Sequence, residues 1–542
     1  MSRRGAARGA PPARPRRSFG SRVLRWSLVL LVLGLLAGAG AAFVGLSLLR
    51  YSPGQAMQAL EERSPVEMIG HAFRRLEGHP RLERVLHPPL IWLYGRFVRE
   101  TSGALRDLGK GVRPQGLLAQ RYDERGAPVP SWPAVEAGPG GAGGAGVAGG
   151  AFAAGAPPSA GGVGPGAGLR AGPAARVLLN AADIADAMAA AQPGDVLEIA
   201  PGRHALPGTL YTRSGGRVDA PITLRAAKAG TVTLEVYSDE GVLVAHPYWI
   251  FENLAWRGVC RADDECEHAL HIVGAARGTV VRNNHFADFS AHLKINGHSG
   301  QFPDDGLLQY STLANTRPRA GRLPVALVDL VGASGWQLLD NRVEGFVKSG
   351  GDGVSYGMFM KGAGRGGRIE RNVVVCTPQA VKQPGLRLGI SIGDGGTGAP
   401  YCRDKRCEFE HDAAIVANNV VAHCNDAGID ISKGRAALVA HNTLVNTQGI
   451  LLRNPPADAR VLNNVLDSRL RRRAGTTVTA DDDNRRTGNL SSWLADADAL
   501  DLRWREAPGP AATPAEVPLD FCGRRRAPQS EPGAGAAAAC AR

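Results

Sequence analysis

The first 25 residues contain no acidic residue and eight arginines, so the formal charge of +13 over 542 residues is spread unevenly. Without that segment about +5 remains, a modest excess for so long a chain. No nucleic-acid recognition motif accompanies the arginines, which excludes nucleic acid as the expected partner and leaves the basic end as a topology signal. An acidic polymer stays eligible for the mildly basic remainder. Metal and nucleotide signatures are missing too. Around VCRADDECEH no second CxxC and no HxxxH arrives to complete four zinc ligands. The Gly393–Gly398 run lacks the Lys-Ser/Thr and the helix that follow a phosphate loop.

Charge is also absent from Trp26 to Leu49, a 24-residue apolar run closed by Arg25 and Arg50. That length spans a hydrocarbon core of ~30 Å as a helix, and the arginines before it place the amino terminus in the cytoplasm. The expectation is a bacterial-type inner-membrane anchor with the bulk of the chain in the periplasm. Two rivals stand beside it: cleavage as a signal peptide at AGAGAA (37–42), giving a secreted protein, and a twin-arginine export signal at Arg16-Arg17-Ser18-Phe19. Residues 1–25 read as a disordered cytoplasmic tail and 50–115 as a helical juxtamembrane stalk. Residues 116–175, nearly all Gly, Ala and Pro from 135 on, read as a flexible linker.

From 176 to 490 the texture is different. Asn180 heads a short helix that would cover an open edge, and strand-like pieces follow: DVLEIAPG, APITLRA, TVTLEV, YWIFENLAW. Short apolar runs then recur with an Asn at the corner: Asn284, Asn341, Asn372, Asn419, Asn442 and Asn464. Asn419 and Asn442 lie 23 residues apart within 413–454, the clearest pair of units. A period in the twenties built of short strands and corners predicts an all-β solenoid of stacked coils. Stacked Asn corners tolerate left-handed backbone and bond the turn above. The gaps 284–341 and 372–419 exceed one coil, and the surplus reads as loops, NGHSGQFPDDG, VKSGGDGVSYG and IGDGGTGAPYCRDKRCEFEH, projecting from one part of the repeat. Residues 491–542 read as a tail packed on or trailing from the solenoid.

Eight cysteines, an even number, suit disulfides in an oxidising compartment: Cys260 with Cys266, Cys402 with Cys407, Cys522 with Cys540, and Cys376 with Cys424 stacked on neighbouring coils. Strand alternation assigns the faces. It turns His292, Lys294, Asp329, Lys361, Arg387, Ser391, Asp430 and Arg453 outward into one shallow groove of mixed charge with a basic majority.

GDVLEIAPGRHALPGTLY, APITLRAAKAGTVTLEV and YWIFENLAWRG together resemble the opening of polysaccharide lyase family six, and IVANNVVAHCNDAGIDISKG with QGILLRN is similar to its catalytic coils. The resemblance implies a single-stranded right-handed parallel β-helix of the pectate-lyase type that cleaves acidic polysaccharide by β-elimination. It gives Lys433 the role of general base and Arg453 that of its helper. Asp430 takes the place of one calcium-binding glutamate, with Asp394 or Ser391 as further oxygen donors, while Gly428 stands where the second glutamate would be. Tyr356 or His411 would protonate the leaving group. Lys294, His292, Lys361, Arg387 and Asp329 would hold substrate. A non-catalytic glycan-binding or envelope scaffold protein, and a hydrolase using paired carboxylates or an epimerase, are the alternatives.

Overall fold

In a computed structural model of the chain, the described residues are 85, 86, 89 and 176–534, except 179, 227, 229, 378–384 and 394–396. The expected anchor at 26–49, nearly all of the stalk, the linker, Cys540 and Asp394 lie outside them. No helix among the described residues is long and apolar enough to cross a membrane.

Each coil visits three parallel sheets in turn. The leading sheet has 12 strands, from Arg176–Leu178 to Thr477–Asp482; the second has 11, from Gly202–Leu206 to Arg485–Arg486; the third has 10, from Leu210–Tyr211 to Leu470–Arg472. Every neighbouring pair within them is parallel, as Ile415–Ala417 on Arg368–Glu370 and Ile429–Ser432 on Leu386–Ile392 illustrate. The chain is therefore a parallel β-helix. Leu, Ile and Val from all three sheets stack in the interior, joined towards the amino-terminal end by Trp249, Phe251, Trp256 and Phe286.

Helix α1 (Ala181–Ala189) starts at Asn180, whose side chain accepts from the Asp183 amide while Asp183 accepts from the Asn180 amide, a reciprocal cap. Its Ile184 and Met188 join the core and cover the first coil. The tail packs on the solenoid: Leu490, Leu494, Leu502 and Phe521 lie on Val373, Val375, Val420, Val445 and Val465, which face out from the second sheet. Val517 covers Ala417, Leu438 and Ala440 of the leading sheet. Towards the carboxy-terminal end these two outer faces are thus apolar and partly covered, whereas nearer the amino-terminal end both carry ion pairs, such as Arg282–Glu252 on the leading sheet and Arg342–Glu344 on the second.

The Asn corners form a continuous ladder between the leading and second sheets. The Oδ1 of Asn419 accepts from the backbone N–H and the Nδ2 of Asn372, at 2.9 and 3.0 Å, and Asn419 donates in the same way to Asn442 at 3.0 and 3.0 Å. The pattern continues through Asn464 to Asn484. Towards the other end Ser311 takes an Asn position, donating its amide to Asn341 Oδ1 and accepting the Asn284 amide on its hydroxyl. The long interval 284–341 is therefore two ordinary coils with a serine rung, a correction to its reading as one looped coil. The interval 372–419 is one coil with long insertions. The left-handed residue is the one before each rung, as at Asn283, Tyr310, Asp340, Arg371, Asn418, His441 and Asn463, all with φ between 53 and 58°. The ladder Asn supplies bonds, and its neighbour supplies the turn.

A second regularity lies where the third sheet begins. Its ladders skip a residue at the same place in coil after coil: His268 pairs Glu240 and Ala291, then Leu270 pairs Val242 and Leu293; Tyr356 pairs Ala326 and Leu388, then Met358 pairs Val328 and Ile390. The skipped residues, Gly241, Ala269, His292, Leu327, Gly357 and Gly389, form a stacked bulge. A Cβ on Gly357 would stand 2.6 Å from the Gly389 carbonyl oxygen, and one on Gly389 2.5 Å from that of Gly428, so glycine is required there. The bulge shifts the alternation by one residue, so positions three apart across it share the outer face.

Three disulfides are formed as expected, Cys260–Cys266, Cys402–Cys407 and, between neighbouring coils, Cys376–Cys424. Cys522 is also disulfide-bonded.

Replacing Asn419 with alanine strands the Asn372 amide and the Ile369 carbonyl in the interior and removes one of the two donors to Asn442 Oδ1. Each such group costs about 1–3 kcal/mol. Thermal unfolding should show a larger loss for Asn419→Ala than for Asn484→Ala at the part-exposed end of the ladder; equal losses would contradict the load assigned to the buried rungs.

Candidate functional site

The outer face of the third sheet carries histidine, lysine, aspartate and arginine side chains on successive coils. Register sets one column as Leu243, His271, Lys294, Asp329, Phe359, Ser391, Asp430, Leu451 and Arg471. Across the bulge, Glu240, His268, Ala291, Ala326, Tyr356 and Leu388 form a parallel column. Tyr356 and Phe359, three apart, consequently stack with ring centroids 4.3 Å apart.

Asp329 lies at the centre, 5% exposed, between two lysines. Lys294 Nζ donates to its Oδ2, and Lys361 Nζ lies 3.2 Å from its Oδ1. Burial alone would raise the Asp329 carboxyl, but the Lys361 and Lys294 ammonium groups outweigh it and hold the group well below the usual carboxylate range. Lys361 also sits 4.2 Å from the Phe359 ring centroid. The triad carries one net positive charge.

Three rungs on, Asp430 is fully buried. Arg453 grips it from the next coil through Nε and Nη2, both at 2.9 Å, and Ser391 Oγ donates to Oδ2 at 3.0 Å. Lys433 follows this strand in a left-handed turn, φ 54°, with its amide on the Arg453 and Asn454 carbonyls. Lys433 and Arg453 are therefore on adjacent coils, both half-buried. Among the described residues the Lys433 ammonium has no ion-pair partner.

Long segments flank this face on both sides, a correction to their projection from one part of the repeat. The segments 297–306 and 393–410 follow third-sheet strands, whereas 345–353 precedes one. Arg403 ties the first two together, reaching Asp304 at 2.6 and 3.1 Å and lying 4.5 Å from the Phe302 ring centroid. On the other side Asp263 binds Arg317 and Arg319 and so fixes the segment after Asn315 against the Cys260–Cys266 loop.

Several expected positions are displaced, and the bulge explains two of them. His292 is a bulge residue. It points inward between Phe286 and Phe289, bonds Asn315 Oδ1 at 3.0 Å, and burial pushes its imidazole down to about 3. Arg387 precedes the bulge at Gly389 and is 3% exposed; Leu388 takes the outer column instead. His411 is buried behind Gly367, whose amide donates to its Nε2 at 3.1 Å, and burial holds it neutral at about 4. Tyr356 is on the strand rather than in a loop, and two rungs of ~4.8 Å plus most of a strand length separate it from Lys433. His411 pairs with Gly434, next to Lys433, but its buried ring is turned to Gly367. Calcium does not fit the described residues: both Asp430 oxygens face donors, which leaves nothing like the six to eight oxygens that ion takes.

One cluster escaped the sequence reading. Glu240, His268 and His271 converge with ligand atoms within 4.8 Å of one another. Strict alternation sets His268 and His271 on opposite faces; the bulge at Ala269 unites them. The visible signal was HALHIV after a coil with Gly241 at the same place.

No family model matches the chain, and no curated protein matches it. Solved structures do. A pectate lyase is 14% identical over 55% of this chain and 72% of its own, with a TM-score of 0.38. An alginate lyase from Paenibacillus is 13% identical over 57% and 99%, TM-score 0.33. A polysaccharide lyase of the PL6 family from Pseudopedobacter saltans is 13% identical over 58% and 94%, TM-score 0.31. Glycoside hydrolases stand among such neighbours as well. Likeness at this level bears on neither activity nor substrate, and the fold stands on the strand ladders themselves.

Asp329→Asn leaves two lysines without their buried counter-charge, a loss of about 3–5 kcal/mol by the usual cost of breaking such a pair. The native carboxyl titrates below its unfolded value of 3.8, so its contribution is complete above about pH 4 and is lost as pH falls further. Melting temperature against pH should show a shallower acid limb for the variant than for wild type; parallel curves would remove Asp329 from the acid limb.

Proposed function

We propose that this chain binds an acidic polysaccharide along the outer face of the third sheet and cleaves it by β-elimination. The observation that carries the reading is the row of cations set by register on one face: Lys294 and Lys361 on Asp329, then Lys433 with Arg453 held by Asp430. A uronate placed across Lys433 and Arg453 would lose the proton beside its carboxylate to the Lys433 nitrogen acting as base. Arg453, oriented by Asp430, would stabilise the enolate that develops. With the proton in hand, Lys433 becomes the acid nearest the departing 4-linked oxygen, so one group serves both transfers. The new carbon–carbon double bond takes the electron pair of the broken C–H bond, and the leaving sugar takes the proton. Calcium has no part in these steps.

Export fits this reading, because three disulfides suit an oxidising compartment. The expected membrane anchor and periplasmic placement belong to the same proposal. A second reading, a glycan-binding or scaffold surface without turnover, is favoured by the bidentate hold of buried Asp430 on Arg453, which neutralises that guanidinium.

The test is to incubate the purified full-length chain with a panel of acidic glycans and to follow ultraviolet absorbance of unsaturated uronate ends. Wild type should release them, and Lys433→Ala should lower kcat about 10²–10⁴-fold. Binding without unsaturated product supports the surface reading, and new reducing ends without unsaturation support a hydrolase.

A further inference from the structure

His268 and His271 stand two coils before Asp329 and Glu240 three, at the other end of the same face. Their contacts define where the protons are. Asn296 donates its Nδ2 to the Gly297 carbonyl at 3.1 Å, so its Oδ1 is the atom that faces His271 Nε2 at 2.7 Å. An oxygen acceptor there requires the proton on Nε2. The other ring nitrogen, Nδ1, faces Glu240 Oε1 at 2.5 Å. A ring nitrogen against a carboxylate oxygen at that separation needs a positive centre between or beside them, a proton or a metal ion.

His268 adds a second ring nitrogen without a partner. It is 5% exposed, and its ring packs edge-on to that of His271 with centroids 5.0 Å apart. Its Nε2 lies 3.4 Å from Glu267 Oε1, whereas its buried Nδ1 has no hydrogen-bond partner. That buried nitrogen is the atom the protein leaves unmet, beside His271 and Glu240.

We propose that Glu240, His268 and His271 bind one divalent ion of the zinc class through a carboxylate oxygen and two imidazole nitrogens. Two nitrogens and one oxygen suit zinc, cobalt or nickel and are a poor match for calcium or magnesium, which take oxygen. Ligand atoms no more than 4.8 Å apart close onto bonds of ~2 Å with side-chain shifts of about an ångström. Asn296 accepting from the far nitrogen of His271 is the outer-shell support that orients a metal-bound imidazole. Three protein ligands leave a position open towards the groove, where water or a substrate oxygen would bind. The backbone reason for the site is the bulge: it alone puts His268 and His271 on one face, next to Glu240 on the preceding rung. The other grouping of this kind among the described residues, Cys402, Cys407 and Glu410, is spent, because its two sulfurs form a disulfide. This inference does not depend on the glycan reading.

The test uses untagged full-length chain stripped with chelator and dialysed, then titrated with Co²⁺ and, separately, Zn²⁺. Wild type should bind one ion per chain and give the d–d absorption of tetrahedral or five-coordinate cobalt, displaced by zinc. His271→Ala should abolish the band, and Asn296→Ala should weaken binding about 10–100-fold, as the loss of outer-shell partners does elsewhere. Unchanged far-ultraviolet circular dichroism certifies the fold of each variant. No stoichiometric uptake by wild type overturns the proposal without reference to any variant. An undiminished cobalt band in folded His271→Ala overturns it as well.

Discussion

Everything on the outer face depends on register, and register depends on the buried amide ladder. Each rung's Oδ1 takes both the backbone N–H and the side-chain N–H of the rung before it, so a slip of one residue would orphan several buried groups at once. Parallel strands two to eight residues long have few bonds each with which to resist such a slip. Nor does the apolar interior resist it strongly, because Leu, Ile and Val replace one another from coil to coil. The amides discriminate where the aliphatics do not. Ser311 serves as a rung because one hydroxyl can accept from the Asn284 amide and still donate, in its case to the Gln309 carbonyl.

The stacked bulge converts that register into a surface. In an unbroken strand, residues three apart face opposite ways, and outer-face neighbours are two apart. With Gly241, Ala269, Leu327, Gly357 and Gly389 turned inward beside the next core residue, pairs three apart come out together: His268 with His271, Tyr356 with Phe359. Close approach of successive coils restricts most of these positions to small residues. Where a large one stands, as at His292, the interior must open a slot for it, and Phe286, Phe289 and Asn315 line that slot.

The solenoid was legible because its signals are local: Asn at a fixed place in short apolar runs, cysteines placed to stack, an Asn-capped helix before the first coil. The site was legible only beyond the bulge. Lys294, Asp329, Lys361, Asp430 and Arg453 all follow it and face as alternation says, whereas Arg387 precedes it and His292 occupies it. A glycine in a strand is an ambiguous mark, since it also signals a turn or a close contact, and Ala269, His292 and Leu327 give no mark at all. His411 failed for another reason. Its ring packs against Gly367, a residue more than 40 positions away in sequence.

Charge along the face has a direction. Asp329 and Asp430 are buried beneath the cations they hold, so Lys294, Lys361 and Arg453 are fixed in place while much of their charge is cancelled. A polyanion would meet oriented donors more than a strong field, which favours recognition by geometry over long-range attraction. At the opposite end, Glu240 and Glu267 surround two histidines, and burial pushes the Glu267 carboxyl up. Left as anions, these carboxylates would repel an acidic chain lying along the groove. A divalent ion on Glu240, His268 and His271 would reverse the sign there and make the whole face attractive to carboxylates. The two ends would then act alike by different means, one through ammonium and guanidinium groups held from below and the other through a metal with an open position.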